Sequence, residues 1–130
     1  MRALLDTHTL LWSLQGNSQL SSVAKKWIED PANDPVVSIA SCWEIAIKAG
    51  IRKLNLAESA QSFLQREIPK NKLELLVISL QHATAVEALP HYHRDPFDRL
   101  LVAQAMIEGI PVVSNDAQLD AYGITRLWQR

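Results

Sequence analysis

Short apolar runs alternate along the chain with longer segments in which apolar residues recur every three or four positions. The short runs predict buried strands and the longer segments predict helices, a pattern typical of βα units around a mostly parallel sheet. The sequence therefore predicts an α/β fold. The predicted strands are Arg2–Leu5, Val36–Ile39, Leu73–Ile78, Pro111–Val113 and, at an edge, Thr125–Trp128.

The helical segments begin and end at residues that favour helix termini, such as Gly16, Gly50 and a proline in a first turn. The helix expected from Ser41 carries an apolar stripe of Trp43, Ala46 and Ile47, typical of a core-facing side. Another helix is expected to end before Pro69. The predicted helices span residues 7–15, 21 or 22 to 28, 41–50, 58–67, 81–89 and 96–109.

Composition is that of an ordinary globular chain, with 130 residues of which 48% are hydrophobic, so we expect one domain over residues 1–130. Cys42 is the only cysteine, which favours a reducing, cytoplasmic location. No apolar stretch reaches about 18 residues and no signal peptide is evident, so no membrane association is expected. A formal net charge of −1 means that any contact with nucleic acid must be local.

Four acidic residues stand where apolar structure does not require one. Asp6 ends the first strand, Asp116 follows the fourth, Asp98 opens the most apolar helix and Glu44 interrupts an apolar helix. Because the carboxyl ends of adjacent parallel strands meet at one crevice, these acids are able to converge. Converging carboxylates repel one another unless a cation neutralises them, and Mg²⁺ or Mn²⁺ is the natural partner.

Each acid also has a structural interpretation. Asp6 and Asp116 are suited to cap the helix or turn that follows, and Asp98 lies in a capping-box-like sequence. Glu44 is placed to pair with Lys48 at i,i+4 on an exposed face. For each acid alone both interpretations stay open, whereas the four together favour a metal site.

Four blocks of sequence carry these acids: LLDTHTLLW (Leu4–Trp12), SIASCWEIAIK (Ser38–Lys48), HRDPFDRLLVAQA (His93–Ala105) and VVSND (Val112–Asp116), followed by a closing RLW (Arg126–Trp128). In this order and spacing they resemble the PIN domain, specifically the small bacterial VapC-type toxins, which are ribonucleases of toxin–antitoxin pairs. The resemblance covers nearly the whole chain. It implies a three-layer fold in which helices flank a mostly parallel central sheet.

The resemblance also implies a metal-dependent endoribonuclease, with Mg²⁺ or Mn²⁺ activating the water that attacks a phosphodiester bond. All four acids match the acids of the family site. Asp6 and Asp98 are expected as direct ligands, and the other two complete the site or order the attacking water. The matching polar residues near the metal and the substrate are Thr7, Ser41 and Ser114, the last standing where many members have Thr.

Two neighbouring features compete with this assignment. Asp95 is an alternative to Asp98, but the register of the HRDPFDRLLVAQA block places Asp98 at the acid position and leaves Asp95 as a cap. His91 and His93 with Asp95 suggest a zinc cluster, although no further Cys or His stands at ligand spacing.

Basic residues beside the acids are candidates for holding RNA phosphates, and we favour Arg99 and Lys48. The alternative is that they are solvated surface charges. Arg99 has a further alternative as a structural partner, since i,i+1 neighbours on a helix do not share a face.

The resemblance implies that the partners are an RNA substrate and a cognate antitoxin. A PIN nuclease with a housekeeping role in RNA processing and a PIN domain that binds without catalysis stay open as alternatives. A receiver domain is disfavoured because the second and fourth strands do not end at the required Asp and Lys. A homodimer is expected, since the helices near Leu10–Leu14 and Leu100–Met106 carry more aliphatic surface than the sheet must cover.

Overall fold

A five-stranded parallel sheet forms the centre of the molecule in a computed structural model that describes residues 1–129. The strand order is β3-β2-β1-β4-β5, and every neighbouring pair is parallel. The predicted α/β fold with a mostly parallel sheet is thereby confirmed. The strands are β1 (Arg2–Leu5), β2 (Asp34–Ser38), β3 (Glu74–Leu76), β4 (Val112–Val113) and β5 (Arg126–Leu127).

Six α-helices and two 3₁₀ segments connect these strands within residues 1–129. Serine side chains cap four of the helices; for example, the Ser21 hydroxyl accepts the Ala24 N–H. No helix in this part of the chain has the length and apolar character needed to cross a bilayer. The helices are α1 (Thr7–Gln15), α2 (Ser22–Glu29), α3 (Ile39–Gly50), α4 (Ala60–Lys70), α5 (Leu80–Ala85) and α6 (Pro96–Glu108), and the 3₁₀ segments are Val86–Ala88 and Ala117–Tyr122.

The sheet lies between two helical layers. Successive strand residues point to opposite faces, so Leu4 and Val36 join one apolar cluster while Leu5 and Val37 join the other. The first cluster includes residues of α6, and the second includes residues of α1, α2 and α4. Both faces of the sheet are therefore covered, which confirms the three-layer arrangement.

Some element boundaries differ from those predicted. Helix α4 continues through Pro69 to Lys70; a proline in the last turn removes only one of the final N–H donors. Strand β3 has three residues because β2, its only neighbour in the described sheet, ends at Ser38. Helix α3 begins at Ile39, two residues before the predicted start, because Ser38 caps it by accepting the Ala40 N–H.

The orientation of α3 is the main correction to the predicted packing. Trp43, expected on the core-facing stripe, is 58% exposed, and Ile47 is also exposed. The buried face of α3 instead carries Ser41, Glu44 and Ile45. Helix α3 contacts α1, α4 and α6, and its acid is buried while two of its large apolar side chains are exposed.

The aliphatic residues on which the homodimer prediction was based pack mostly within the chain itself. Leu10 and Leu101 are buried in the two apolar clusters of the chain itself. Met106 alone among the large apolar residues of those two helices is strongly exposed in the described chain. Self-association stays a prediction.

Candidate active site

The strand order creates a crevice between β1 and β4. Within the sheet, β2 and β3 lie on one side of β1, and β4 and β5 lie on the other side. The strand order therefore reverses direction at β1. In open α/β sheets, ligands bind outside the carboxyl ends of the strands at such a switch point. Asp6 follows β1 here, and its N–H donates to the Val113 carbonyl at 3.2 Å, so the first and last acidic blocks are adjacent.

A cleft of about 530 Å³ opens at this point, and the structure brings all four predicted acids to it. Together with Asp95, five carboxylates share the cleft. Among the described lining residues there is no lysine or arginine to balance them. The lining residues are Asp6, Thr7, His8, Glu44, His93, Asp95, Asp98, Asn115, Asp116, Ala117 and Gln118.

Asp6 and Asp116 are helix caps as well as cleft residues. Asp6 Oδ1 accepts the Thr9 N–H at 2.8 Å, which caps α1. Asp116 Oδ1 accepts the Gln118 N–H at 3.0 Å at the start of a 3₁₀ segment. Each cap contact uses Oδ1, so the structural and functional interpretations of these two acids do not exclude each other.

Glu44 also combines the two interpretations. Its carboxylate lies 2.7 Å from the Lys48 ammonium, the predicted i,i+4 pair. The pair does not lie on an exposed face, however, because Glu44 is only 4% exposed and lines the cleft. Lys48 does not line the cleft and pairs with Glu44; its contact with RNA stays a prediction.

His93 is the site residue whose position the sequence did not predict. Its Nε2 lies 2.8 Å from Asp116 Oδ2 and 3.3 Å from Asp98 Oδ2, so the ring stands between two of the acids. The zinc cluster considered with His91 and Asp95 is not formed, since His91 is exposed and Asp95 Oδ1 caps α6. The available signal was position, because His93 opens the same sequence block as Asp98.

Asp98 has an unusual protonation equilibrium. Burial, followed by repulsion from Asp95, raises the pKa of Asp98 from 3.8 to about 7. Asp6 and Glu44 add to the repulsion, and His93 opposes it. Burial and the neighbouring carboxylates together therefore bring the pKa of Asp98 close to neutral pH.

Two of the three predicted hydroxyl contacts lie behind the cleft. Ser41 and Ser114 are fully buried and do not line it, so neither reaches substrate in this conformation. The Thr7 hydroxyl donates to Ser41 Oγ at 3.0 Å, and Ser114 Oγ accepts the Asp116 N–H at 3.0 Å. Both serines position cleft residues, and Thr7 alone of the three lines the cleft.

The predicted substrate contact of Arg99 is corrected by the structure. Arg99 is 6% exposed, and its guanidinium points away from the acids into the loop that precedes α6. It donates to the carbonyls of Val86, Leu89 and Pro90 at 2.8–3.2 Å. The structural alternative for Arg99 is therefore the one that the structure supports.

We expect Arg99→Met to destabilise the protein by about 3 kcal/mol, because three carbonyls in buried or half-buried contacts lose a charged donor. Arg99→Lys is expected to recover little, since an ammonium cannot reproduce the planar fork. Urea unfolding at fixed pH measures both. Arg94→Met, a change at an exposed residue of the same loop, is the control and should stay within about 0.5 kcal/mol. Unchanged unfolding with weakened RNA binding would restore the substrate role.

The donor set of the cleft fits a hard divalent cation. An oxygen of Asp98 and an oxygen of Asp116 lie within 4.8 Å of each other, beside His93 Nε2. Asp6 and Glu44 line the same cleft. Carboxylate oxygens are the ligands that Mg²⁺ and Mn²⁺ prefer, and a cation there would relieve the repulsion that raises the pKa of Asp98.

Comparison with known proteins identifies the family. A family model described as PIN domain matches residues 3–124. The chain is 30% identical to Ribonuclease VapC22 of Mycobacterium tuberculosis over 119 residues, which is 92% of this chain and 90% of that protein. The chain belongs to the PIN domain family, and the resemblance inferred from the four sequence blocks is confirmed. Within that family it is similar to a VapC ribonuclease.

Solved structures share the fold at low sequence identity. VapBC2 from Rickettsia felis, bound to a DNA fragment from its promoter, aligns with a TM-score of 0.75 and 18% identity over 99% of this chain and 100% of that one. DNA-bound VapBC from Salmonella typhimurium aligns with a TM-score of 0.68 and 18% identity over 98% and 97%. At these identities both similarities concern the fold alone.

Proposed function

We propose that the chain is a Mg²⁺- or Mn²⁺-dependent endoribonuclease that acts as the toxin of a toxin–antitoxin pair. The observation that carries the proposal is the convergence of four carboxylates from separate blocks in one cleft at the strand switch point. Membership of the PIN domain family and similarity to a VapC ribonuclease support the reaction class. The proposal places its action on RNA in the cytoplasm, as the sequence predicts.

In this proposal the four carboxylates have different roles. Asp6 and Asp98 hold the cation, while Glu44 and Asp116 complete the site or order the attacking water. The chemistry that such a cation supplies when bound is Lewis-acid activation of water and of the phosphate. The carboxylates alone would repel an RNA phosphate, so the cleft binds substrate only after its charge is neutralised.

The antitoxin is the second proposed partner. The structural relatives are complexes of a toxin with its antitoxin, some with DNA, and we extend that partnership to this chain. An arginine of an antitoxin segment would suit the acidic cleft, because its planar fork matches carboxylate geometry. Inhibition would then follow from occupation of the site that the cation and substrate need.

The proposal predicts that the purified chain cleaves RNA with Mg²⁺ or Mn²⁺ and stops when EDTA is added. Asp6→Asn should lower cleavage at least about 100-fold, since loss of outer-shell partners alone costs 10–100-fold at metal sites. Asn still caps α1, so the fold should be retained. Glu87→Gln, a change at an exposed acid outside the cleft, should leave the rate unchanged.

Expression in a bacterium separates the toxin from a housekeeping nuclease. Induction of the wild-type chain alone should arrest growth, whereas Asp6→Asn should not. Normal growth with soluble enzyme that cleaves RNA in vitro would favour the housekeeping role. Cleavage that persists in EDTA, or an absence of cleavage with either metal, would contradict the proposed reaction itself.

A further inference from the structure

His93 has a fixed position between two acids of the cleft. It lies in the loop before α6, and its side chain is 11% exposed. Its Nε2 is 2.8 Å from an oxygen of Asp116, which follows β4, and 3.3 Å from an oxygen of Asp98, in the first turn of α6. One imidazole nitrogen therefore hydrogen-bonds an acid that follows a strand and lies close to an acid of a helix.

The other ring nitrogen identifies the tautomer. Nδ1 accepts the Asp95 N–H at 3.1 Å, so Nδ1 carries no hydrogen. In a neutral imidazole one nitrogen is the donor and the other the acceptor, which puts the hydrogen on Nε2, the atom that faces the acids. A protonated Nε2 donates hydrogen bonds and has no lone pair for a cation.

The loop that carries His93 is held at several further points. The His93 N–H donates to Tyr122 Oη at 3.0 Å, and that hydroxyl donates to the Pro90 carbonyl at 2.8 Å. The Arg99 guanidinium donates to the same carbonyl. The ring is therefore oriented by its surroundings before any ligand arrives, as an effective positioning residue requires.

We propose that His93 is a positioning residue of the metal site, whose Nε2–H donates to the Asp116 carboxylate and lies beside that of Asp98 without binding the cation itself. The inference rests on the proposed function, because it needs a metal at this cleft. Hydrogen bonds to ligating carboxylates fix their orientation and contribute to metal affinity. The ligand set then consists of oxygens, the set suited to Mg²⁺ and Mn²⁺.

Two substitutions test the roles of the two ring nitrogens separately. In His93→Gln the side-chain amide extends as far as Nε2 and keeps an N–H donor there. In His93→Asn the amide ends near the position of Nδ1, so it keeps the contact with the Asp95 N–H but does not reach the acids. Calorimetric titration of Mg²⁺ and of Mn²⁺ into the full chain, without RNA, measures affinity independently of cleavage. Urea unfolding verifies that both variants fold.

We expect His93→Asn to weaken the binding of Mg²⁺ and of Mn²⁺ by the same factor. The factor should be about tenfold or more, the usual cost of losing an outer-shell partner. His93→Gln should stay within about threefold of the wild-type protein because the donor is retained. A loss in both variants that is much larger for Mn²⁺ than for Mg²⁺ would overturn the inference and make His93 a ligand, since imidazole favours the softer ion.

Two other results would also overturn it. Equal affinities in the wild-type protein and both variants would show that His93 does not act on the metal site, while the proposed nuclease would be unaffected. A wild-type protein that binds neither metal would contradict the metal site itself, and the inference with it. The two failures are therefore distinguishable by the wild-type titration alone.

Discussion

Asp98→Asn is expected to lower RNA cleavage at least about 100-fold, whereas Asp95→Asn should keep it within about tenfold of the wild-type rate. The two acids lie three residues apart and both line the cleft. Asp95 Oδ1 accepts the N–H groups of Phe97 and Asp98 and so caps α6, a role that Asn performs almost equally well. The Asp98 carboxylate instead faces His93 and is the proposed metal ligand.

Initial cleavage rates at saturating Mg²⁺ measure the difference between these variants. Matching circular dichroism spectra, with urea midpoints no lower than that of the wild-type protein, are the control that neither variant is misfolded. Full activity in Asp98→Asn with loss in Asp95→Asn would mean that the HRDPFDRLLVAQA block had been aligned one helical turn out of register. Loss in both would assign Asp95 a role beyond its cap.

Local sequence was sufficient to predict most of the fold. A continuous apolar run such as Ala3–Leu5 indicates a strand that is covered on both faces, because successive side chains point to opposite faces and all three are buried. Serine, glycine and proline marked the helix ends through capping and backbone preferences that act within a few residues. The convergence of the four acids followed from the general position of binding sites in parallel sheets.

The rotation of α3 was not predictable from the same signals. Its apolar residues indicate a stripe that includes Trp43 and Ile47, yet the buried face is the one that carries Ser41 and Glu44. Periodicity identifies the apolar side of a helix on the assumption that this side faces the core. A helix that contributes to a polar cleft breaks the assumption, as expected where function competes with packing.

The contacts of Arg99 and His93 could not be predicted from the sequence, for a different reason. Arg99 bonds backbone carbonyls of a loop, and a carbonyl is present at every residue, so residue types do not reveal the partner. The role of His93 depends on Asp116, which is 23 positions away in the sequence. Single-sequence spacing suggested a local cluster with His91, whereas the fold supplied a distant partner.

The metal-free protein should become more stable when Asp98 is replaced by Asn, and the gain should depend on pH. The folded-state pKa of about 7 lies above the ordinary 3.8, so below pH 3.8 the acid is protonated in both states and costs nothing. Its cost grows as the pH rises toward 7 and is constant above. At about 1.4 kcal/mol per pH unit the cost reaches at most about 4 kcal/mol, an upper bound because the side chain is 25% exposed.

Urea unfolding in EDTA at pH 5, 6 and 8 measures this gain, which should be largest at pH 8 and roughly 40% as large at pH 5. Asp120→Asn is the control, because the Arg126 hydrogen bond lowers the pKa of that exposed acid, so its removal should give no gain at any of the three pH values. Added Mg²⁺ should stabilise the wild-type protein and reduce the advantage of the variant, since the cation neutralises the same charge. A gain of equal size at pH 5 and pH 8 would contradict the explanation by charge and would instead indicate better packing of the amide.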